Sequence, residues 1–236
     1  MLRGGKIRLK KRDKNRVIET IETEIEDIGK YAGKVPRWSF LIAVLVIGIL
    51  FSVLSENLTV GPSWFVLAIV SVLLVPLLAS VFVGHHRWTR RLAITITSVL
   101  TLGLVSSVVF LVYALFKHTE TAASLFRDAV LLWSANIMVF AVWYWEVDQG
   151  GPIRRHANTP DAPDLLFPQM TSNLECWKDW KPTFIDYVFL AFNTSTAFSP
   201  TDTMVMSKRA KVLMMAQASI SLVIVAVLAA RAINIA

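Results

Sequence analysis

Long apolar runs dominate the chain, and short polar segments separate them. A helix that spans a membrane needs about 20 mostly apolar residues, with about 17 to 25 tolerated. Several of the runs begin or end at tryptophan, which prefers the level of the lipid headgroups. The pattern predicts five transmembrane helices, at residues 38–54, 64–83, 92–116, 129–145 and 212–235.

A sixth apolar segment, residues 184–198, is too short and too polar to cross a membrane easily. Its second half contains Asn193, Thr194, Ser195 and Thr196, and Pro200 follows. Irregular backbone at membrane depth is tolerated where protein or a water-filled cavity surrounds it. We therefore expect a short re-entrant, pore-like helix here; if the segment crossed instead, the chain would have six spans.

Residues 1–37 combine a basic arm with an amphipathic pattern. Residues 3–16 carry eight Lys and Arg side chains against one Asp. From Val17 to Tyr31 apolar residues recur at helical spacing, with acidic residues between them. This predicts an amphipathic cytoplasmic helix, which could lie on the membrane, pair with a copy of itself or pack on a cytoplasmic loop.

Composition and loop charge complete this picture. A hydrophobic fraction of 55% with 17% charged residues is typical of an all-α membrane protein. The basic arm indicates anionic lipid of the bilayer as its partner, with no nucleic acid. Loop 84–91 is basic and loop 55–62 is not, which predicts a cytoplasmic N-terminus. Because no cleavage site precedes the first run, that run is expected to act as its own insertion signal.

These features divide the chain into four parts. Residues 1–37 form the basic arm and amphipathic helix, and residues 38–146 form four transmembrane helices. Residues 147–182 form a polar loop, expected to be irregular and cytoplasmic, with a turn at Gly150 and Gly151. Residues 183–236 form the re-entrant helix, a turn and the last transmembrane helix.

The C-terminal part resembles the pore module of potassium channels. The shared order is an outer helix, a polar loop, a short helix ending in Thr194-x-Thr196, a turn with Asp202, and a long helix with a basic start at Lys208. That family's filter is Thr-x-Gly-aromatic-Gly-Asp, whose glycines let successive carbonyls face the ion. Residues 198–201 contain no glycine, so potassium selectivity is not implied. The loop of a potassium channel enters from outside, whereas the charge pattern places this one on the cytoplasmic side.

The same part is also similar to a group of bacterial multi-pass membrane proteins of unknown function. The similarity covers Asp186-Tyr187, the run from Thr196 to Thr203 and the closing Ala-Arg-Ala-Ile-Asn run that ends at Asn234. It implies a bacterial inner membrane and leaves the substrate open.

The polar residues of the turn are the candidates for contact with an ion. Thr and Ser hydroxyls could face an ion or bond back to the backbone of their own helix. The carboxylate of Asp202 could form part of a ring at a pore mouth or cap the last helix. The candidates are Thr194, Thr196, Ser199, Thr201 and Asp202.

Three polar residues lie inside apolar runs, where an unsatisfied group is costly. Asn136 and Gln217 could serve function or form hydrogen bonds between helices. Arg231 could serve function or extend to the interface. Glu146 and Asp148, at the end of the fourth run, are expected to be solvated.

The expected function is a pore-loop, ion channel-like protein that conducts cations, monovalent ones among the candidates, as a homo-oligomer of four copies. The alternative is a non-conducting scaffold or accessory subunit whose N-terminal helix and cytoplasmic loop bind a partner. The sequence has no Gly-rich phosphate loop, nucleophile elbow or His-x-x-x-His pattern, so we expect neither an enzyme nor a cofactor or metal.

Overall fold

The computed structural model describes residues 38–59, 61–62, 64–83, 86–117, 121–156, 162–196 and 201–235. The predicted amphipathic helix, within residues 1–37, lies outside the described residues. Backbone alone is described at residues 38, 80–83, 86–87, 156 and 231–235.

The described chain is almost entirely helical. One-turn 3-10 helices occur at Glu56–Leu58, Asp148–Gly150 and Glu175–Trp177. Two short strands, β1 (Leu165–Leu166) and β2 (Met204–Val205), pair antiparallel with Leu165 opposite Val205. The α-helices are α1 (Trp38–Ser52), α2 (Trp64–Val83), α3 (His86–Lys117), α4 (Ala122–Val147), α5 (Pro152–His156), α6 (Pro168–Thr171), α7 (Phe184–Thr196) and α8 (Lys208–Ile235).

Within the part of the chain that the structure describes, three helices are long and apolar enough to span a membrane, which supports a membrane protein. They cover Trp88–Lys117, Ala122–Gly150 and Lys208–Ala230. Among the described residues, Ser39–Ser52 and Trp64–Ala79 form shorter apolar helices. Each of the five predicted runs thus coincides with a helix, and three of these helices meet the length expected of a span.

Helices α4 and α8 begin before their predicted runs, and a polar side chain caps the start of each. α4 begins at Ala122, before the predicted residue 129, and the Thr121 side chain accepts a hydrogen bond from the Ser124 N–H at 3.2 Å. α8 begins at Lys208, before the predicted residue 212, and the Ser207 hydroxyl accepts from the Ala210 N–H at 3.2 Å. Hydropathy marks the apolar interior of a helix and misses these first turns.

α4 is the central helix. It packs against α1, α3, α7 and α8, whereas α2 packs between α1 and α3. Its side chains are buried along most of its length, including Leu132, Phe140 and Tyr144. Most of α8 is exposed outside one buried stripe that contains Ala210, Gln217 and Ile224. The polar loop and α7 are therefore both built against α4.

The loop after α4 folds back over the end of that helix. The predicted turn is confirmed, since Gly150 and Gly151 have φ of 75° and 106°, a region that favours glycine. The prediction that Glu146 and Asp148 are solvated is wrong, because they are 6% and 0% exposed. Arg155 of α5, the N–H groups of Asp164 and Leu165, and the Tyr187 hydroxyl of α7 surround the Asp148 carboxylate.

Candidate functional site

The short helix α7 begins beside the end of α4 and ends beside its middle. At its start, the rings of Phe184 and Tyr187 pack edge-on against Trp145 at 5.9 and 5.5 Å. The Thr183 N–H donates to the Asp186 carboxylate at 2.7 Å, which satisfies a donor at the helix start. Thirteen residues give α7 a length of about 20 Å.

A buried amide of α8 holds the last turn of α7. Gln217 Nε2 donates to the Ala191 carbonyl at 2.7 Å and contacts Ser195 Oγ at 2.8 Å. The Tyr144 hydroxyl of α4 donates to Gln217 Oε1 at 2.5 Å. Gln217 therefore links α4, α7 and α8 at one point.

Two further side chains complete this arrangement. Asn136 Nδ2 lies 3.4 Å from both Ser195 Oγ and the Gln217 carbonyl, at the long end of hydrogen-bonding distance. The Ser221 hydroxyl donates to the Ser195 carbonyl at 2.6 Å. We call the five residues Asn136, Tyr144, Ser195, Gln217 and Ser221 the Gln217 network. Asn136 and Gln217 thus form hydrogen bonds between helices, which is one of the two interpretations of these residues.

Of the hydroxyl candidates, Thr194 and Thr196 bond back to their own helix. Thr194 Oγ1 donates to the Leu190 carbonyl at 2.8 Å, and Thr196 Oγ1 donates to the Asn193 carbonyl at 3.1 Å. Thr201 Oγ1 accepts from the Thr203 N–H at 3.1 Å. All three threonines are partly exposed.

The remaining candidates lie apart from the Gln217 network. Asp202 is exposed, and Ser207 takes the capping position of α8, so the capping role considered for Asp202 is wrong. Ser199 lies outside the described residues. Arg231 belongs to α8, and its side chain also lies outside the description.

A second polar cluster surrounds Asp148 at the loop end of α4. Its Oδ2 accepts from the Tyr187 hydroxyl at 2.6 Å, and its Oδ1 accepts from the N–H groups of Asp164 and Leu165 at 2.9 and 3.2 Å. Arg155 Nη1 lies 3.7 Å from Asp148 Oδ2. Asp148 thus ties the start of α7 to the loop and to the end of α4.

An ion pair extends this cluster to α8. Asp164 accepts two hydrogen bonds from Arg209, at 2.6 and 2.5 Å, and one from the Gln149 N–H at 3.0 Å. Burial raises the pKa of Asp164, but the hydrogen bonds and charge of Arg209, with bonds from Ser207 and Gln149, outweigh it and lower the pKa. We call Asp148, Arg155, Asp164, Tyr187 and Arg209 the Asp148 cluster.

Sequence reasoning assigned no role to the two tyrosines that organise these sites. A tyrosine inside an apolar helix is a usable signal, because its hydroxyl needs a partner when buried. Tyr144 and Tyr187 both meet that condition and are 1% and 0% exposed. Their partners, Gln217 and Asp148, are distant in sequence, so the sequence alone does not pair them.

The chain matches no protein-family model, no curated protein and no solved structure. Among the described residues, no group of three His, Cys, Asp or Glu side chains is placed to hold a metal ion. The geometry around α7 is therefore the basis on which a function is proposed.

Proposed function

We propose that the chain crosses the membrane five times and that residues 184–202 form a re-entrant pore loop, through which several copies conduct cations. The position of α7 carries this proposal. The helix starts beside Trp145 and stops beside Gln217, and at Met204 the chain again lies at the loop side, paired with β1. A crossing segment would leave its far end on the opposite side.

The depth of α7 supports a half-inserted helix. Asn136 lies eleven residues before the end of α4, and Gln217 lies nine residues after the start of α8. At 1.5 Å per residue these positions are about 16 and 14 Å from the loop end. The hydrocarbon core of a bilayer is about 30 Å thick. These distances support a last turn of α7 near the middle of the membrane.

The exposed face of α7 supports an oligomer. Ile185, Phe189 and Phe192 are 69%, 63% and 45% exposed and lie on one side of the helix. A helix that ends within the hydrocarbon must be surrounded by protein or a water-filled cavity. A second copy that covers this face meets that requirement, and four copies follow from the resemblance to potassium channels.

The end of α7 has the chemistry to attract cations. The C-terminus of a helix carries a partial negative charge of about half a unit. The Thr196 hydroxyl donates its proton to its own helix, which leaves oxygen lone pairs for a cation. Asp202 adds an exposed carboxylate on the returning segment. These groups suit monovalent cations in a pore lined by carbonyl and hydroxyl oxygens.

Charge at the helix ends supports a cytoplasmic loop side. Arg90 and Arg91 lie near the start of α3, and Lys208, Arg209 and Lys211 lie at the start of α8. Both helices start at the same end of the bundle as the end of α4, and Lys and Arg near spans favour the cytoplasmic face. A cytoplasmic N-terminus agrees with this placement, and the resemblance to bacterial proteins favours a bacterial inner membrane.

Ion flux tests the proposal directly. Full-length protein reconstituted in liposomes should pass Na⁺ or K⁺ down an imposed gradient. Asp202→Asn should reduce cation flux several-fold, because it removes a carboxylate at the mouth without touching the buried contacts. Glu175→Gln is the matched control, since that carboxylate is 90% exposed on the polar loop, and its flux should equal the wild type. Absence of flux for every monovalent cation and voltage would refute the proposal.

A scaffold or accessory subunit is the second candidate. The observation that favours it is that the polar groups at the end of α7 are engaged within the chain: Ser195 and Thr196 both bond to protein atoms. Deletion of residues 1–37 should then abolish recovery of a partner in a pull-down. Partner recovery that survives the deletion would exclude that segment as the binding site.

A further inference from the structure

The polar loop contains a short segment of 3-10 geometry just before α7. Along it, hydrogen bonds join residues that are three apart. The Trp177 N–H donates to the Leu174 carbonyl at 2.9 Å, and the Trp180 N–H donates to the Trp177 carbonyl at 3.1 Å. The Lys178 N–H donates to the Glu175 carbonyl at 3.3 Å in the same way. Side chains three apart eclipse each other in this geometry, so the segment presents separate rows of side chains.

One of these rows is apolar. It consists of Leu174, Trp177 and Trp180, which we call the Trp177 row. The rings of Trp177 and Trp180 meet edge-on, with 6.4 Å between their centres. Leu174 is 61% exposed and Trp177 is 37% exposed, whereas Trp180 is partly buried. The row is therefore anchored to the protein at Trp180 and exposes apolar surface at its other end.

A second row is charged. The Lys178 ammonium lies 3.8 Å from the Glu175 carboxylate, and these side chains are 72% and 90% exposed. Residues 174–181 carry two acidic and two basic side chains in all, so the segment has no net charge. Attraction to a surface of one charge sign therefore does not position it, and the Trp177 row is the feature that a partner would recognise.

Ring contacts connect the Trp177 row to the end of a membrane-spanning helix. Trp180 meets Phe167 edge-on at 5.7 Å. Phe167 meets Tyr187 at 5.4 Å, and Tyr187 meets Trp145 at 5.5 Å. Trp145 lies five residues before the end of the span Ala122–Gly150, which is about 8 Å along the helix axis. Because tryptophan and tyrosine concentrate at the level of the lipid headgroups, this aromatic cluster is typical of a membrane boundary.

The start of α7 limits the distance between the Trp177 row and the lipid. Only residues 181–183 separate Trp180 from Phe184, the first residue of α7, and the connection spans at most about 14 Å. Ile185, in the first turn of α7, is 69% exposed, so the apolar outer surface of the helix begins at its start. The exposed end of the row and the entry of α7 thus lie at neighbouring points of the same boundary.

We propose that residues 174–181 lie in the headgroup region of the bilayer, with the Trp177 row toward the acyl chains and Glu175 and Lys178 toward water. Amphipathic segments with tryptophan and leucine on one face bind the bilayer interface in this orientation. The partner of the row is therefore the lipid surface, and the contact sets the depth at which α7 enters the membrane. The proposal holds whether α7 turns back or crosses, because both courses begin at the same surface.

Spin labelling of the full-length protein in liposomes of phosphatidylcholine and phosphatidylglycerol tests the proposal. In a Cys176→Ser background, which removes the only cysteine, a nitroxide is attached to Leu174→Cys or, as the matched control, to Glu175→Cys. Both positions are exposed, so neither replacement removes a buried contact. Collisions of the nitroxide with oxygen, which concentrates among acyl chains, are compared with collisions with a water-soluble nickel chelate.

The ratio of oxygen to nickel collisions should be several-fold higher at position 174 than at position 175. Equal ratios at the two positions would show that the segment has no lipid-facing side. Protection of position 174 from both reagents would show that protein, such as a second copy, covers the Trp177 row. Either result overturns the proposal. The measurement is independent of ion conduction, so a failure of the flux assay leaves it unchanged.

Discussion

Replacement of Gln217 by methionine tests how firmly the last turn of α7 is held. The two side chains have similar volume, so the change removes hydrogen bonds with little change of packing. Gln217→Met removes the contacts with Ala191, Ser195 and Tyr144, and the buried Tyr144 hydroxyl loses Gln217 Oε1 as its acceptor. The largest consequence is the loss of this acceptor.

The expected loss of stability follows from these contacts. A buried polar group that loses its partner costs about 1–3 kcal/mol. Hydrogen bonds between helices in a membrane average about 0.6 kcal/mol, with a maximum near 1.7. The free energy of unfolding should therefore fall by about 1–3 kcal/mol in Gln217→Met. Tyr144→Phe, which leaves Gln217 Oε1 without its donor, should cost about 1–2 kcal/mol on the same grounds.

A double-mutant cycle isolates the bond between the two side chains. Tyr144→Phe combined with Gln217→Met removes both partners, so neither is left unpaired. The loss of unfolding free energy in the double variant should be about 1 kcal/mol smaller than the sum of the losses in the two single variants. Unfolding in mixed micelles with increasing denaturing detergent measures all four proteins. Strictly additive losses would show that the two side chains do not interact and would refute the Gln217 network.

Two further predictions concern the Asp148 cluster and its turn. Because the pKa of Asp164 is lower in the folded than in the unfolded state, its stabilisation is present above the unfolded value of about 3.9 and is lost as pH falls through the folded value. Asp164→Asn should therefore lower the unfolding temperature at pH 7 and make the unfolding temperature fall less between pH 5 and 2, whereas Glu175→Gln should follow the wild type. If the wild type and Asp164→Asn lost stability equally with acid, Asp164 would not be the group that titrates. Gly151→Ala should cost about 1–3 kcal/mol, because its φ of 106° strains any other residue. Gly103→Ala is the control, with a new Cβ at an ordinary 3.7 Å from Phe51, and an equal loss there would exclude backbone strain as the cause.

The helices were predictable because hydropathy is a local property. Each apolar run coincides with a helix, and the short segment from Phe184 ends at Thr196, within the predicted residues 184–198. The helix starts were less accurate, since capping by Thr121 and Ser207 lies outside the apolar pattern. The ends of the apolar helices are therefore predictable from the sequence to within one or two helical turns.

The contacts around α7 were not predictable from the same pattern. Tyr144 and Gln217 are 73 residues apart, and their bond exists because α4 and α8 pack side by side. The sequence predicts Asp148 in water because helix ends are usually solvated, but the loop returns over it and supplies the N–H groups of Asp164 and Leu165. Burial of this carboxylate depends on a turn and a strand that hydropathy does not register.

The re-entrant course of residues 184–202 is the central claim, and cysteine accessibility tests it most directly. In a Cys176→Ser background, single cysteines replace Lys178 before α7 and Met206 after it, both exposed, and Glu56 provides a reference for the opposite face. A membrane-impermeant thiol reagent is applied from each side. The account predicts that positions 178 and 206 react from the same side and position 56 from the other. Reaction of positions 178 and 206 from opposite sides would mean that the segment crosses the membrane, and the pore loop would be excluded.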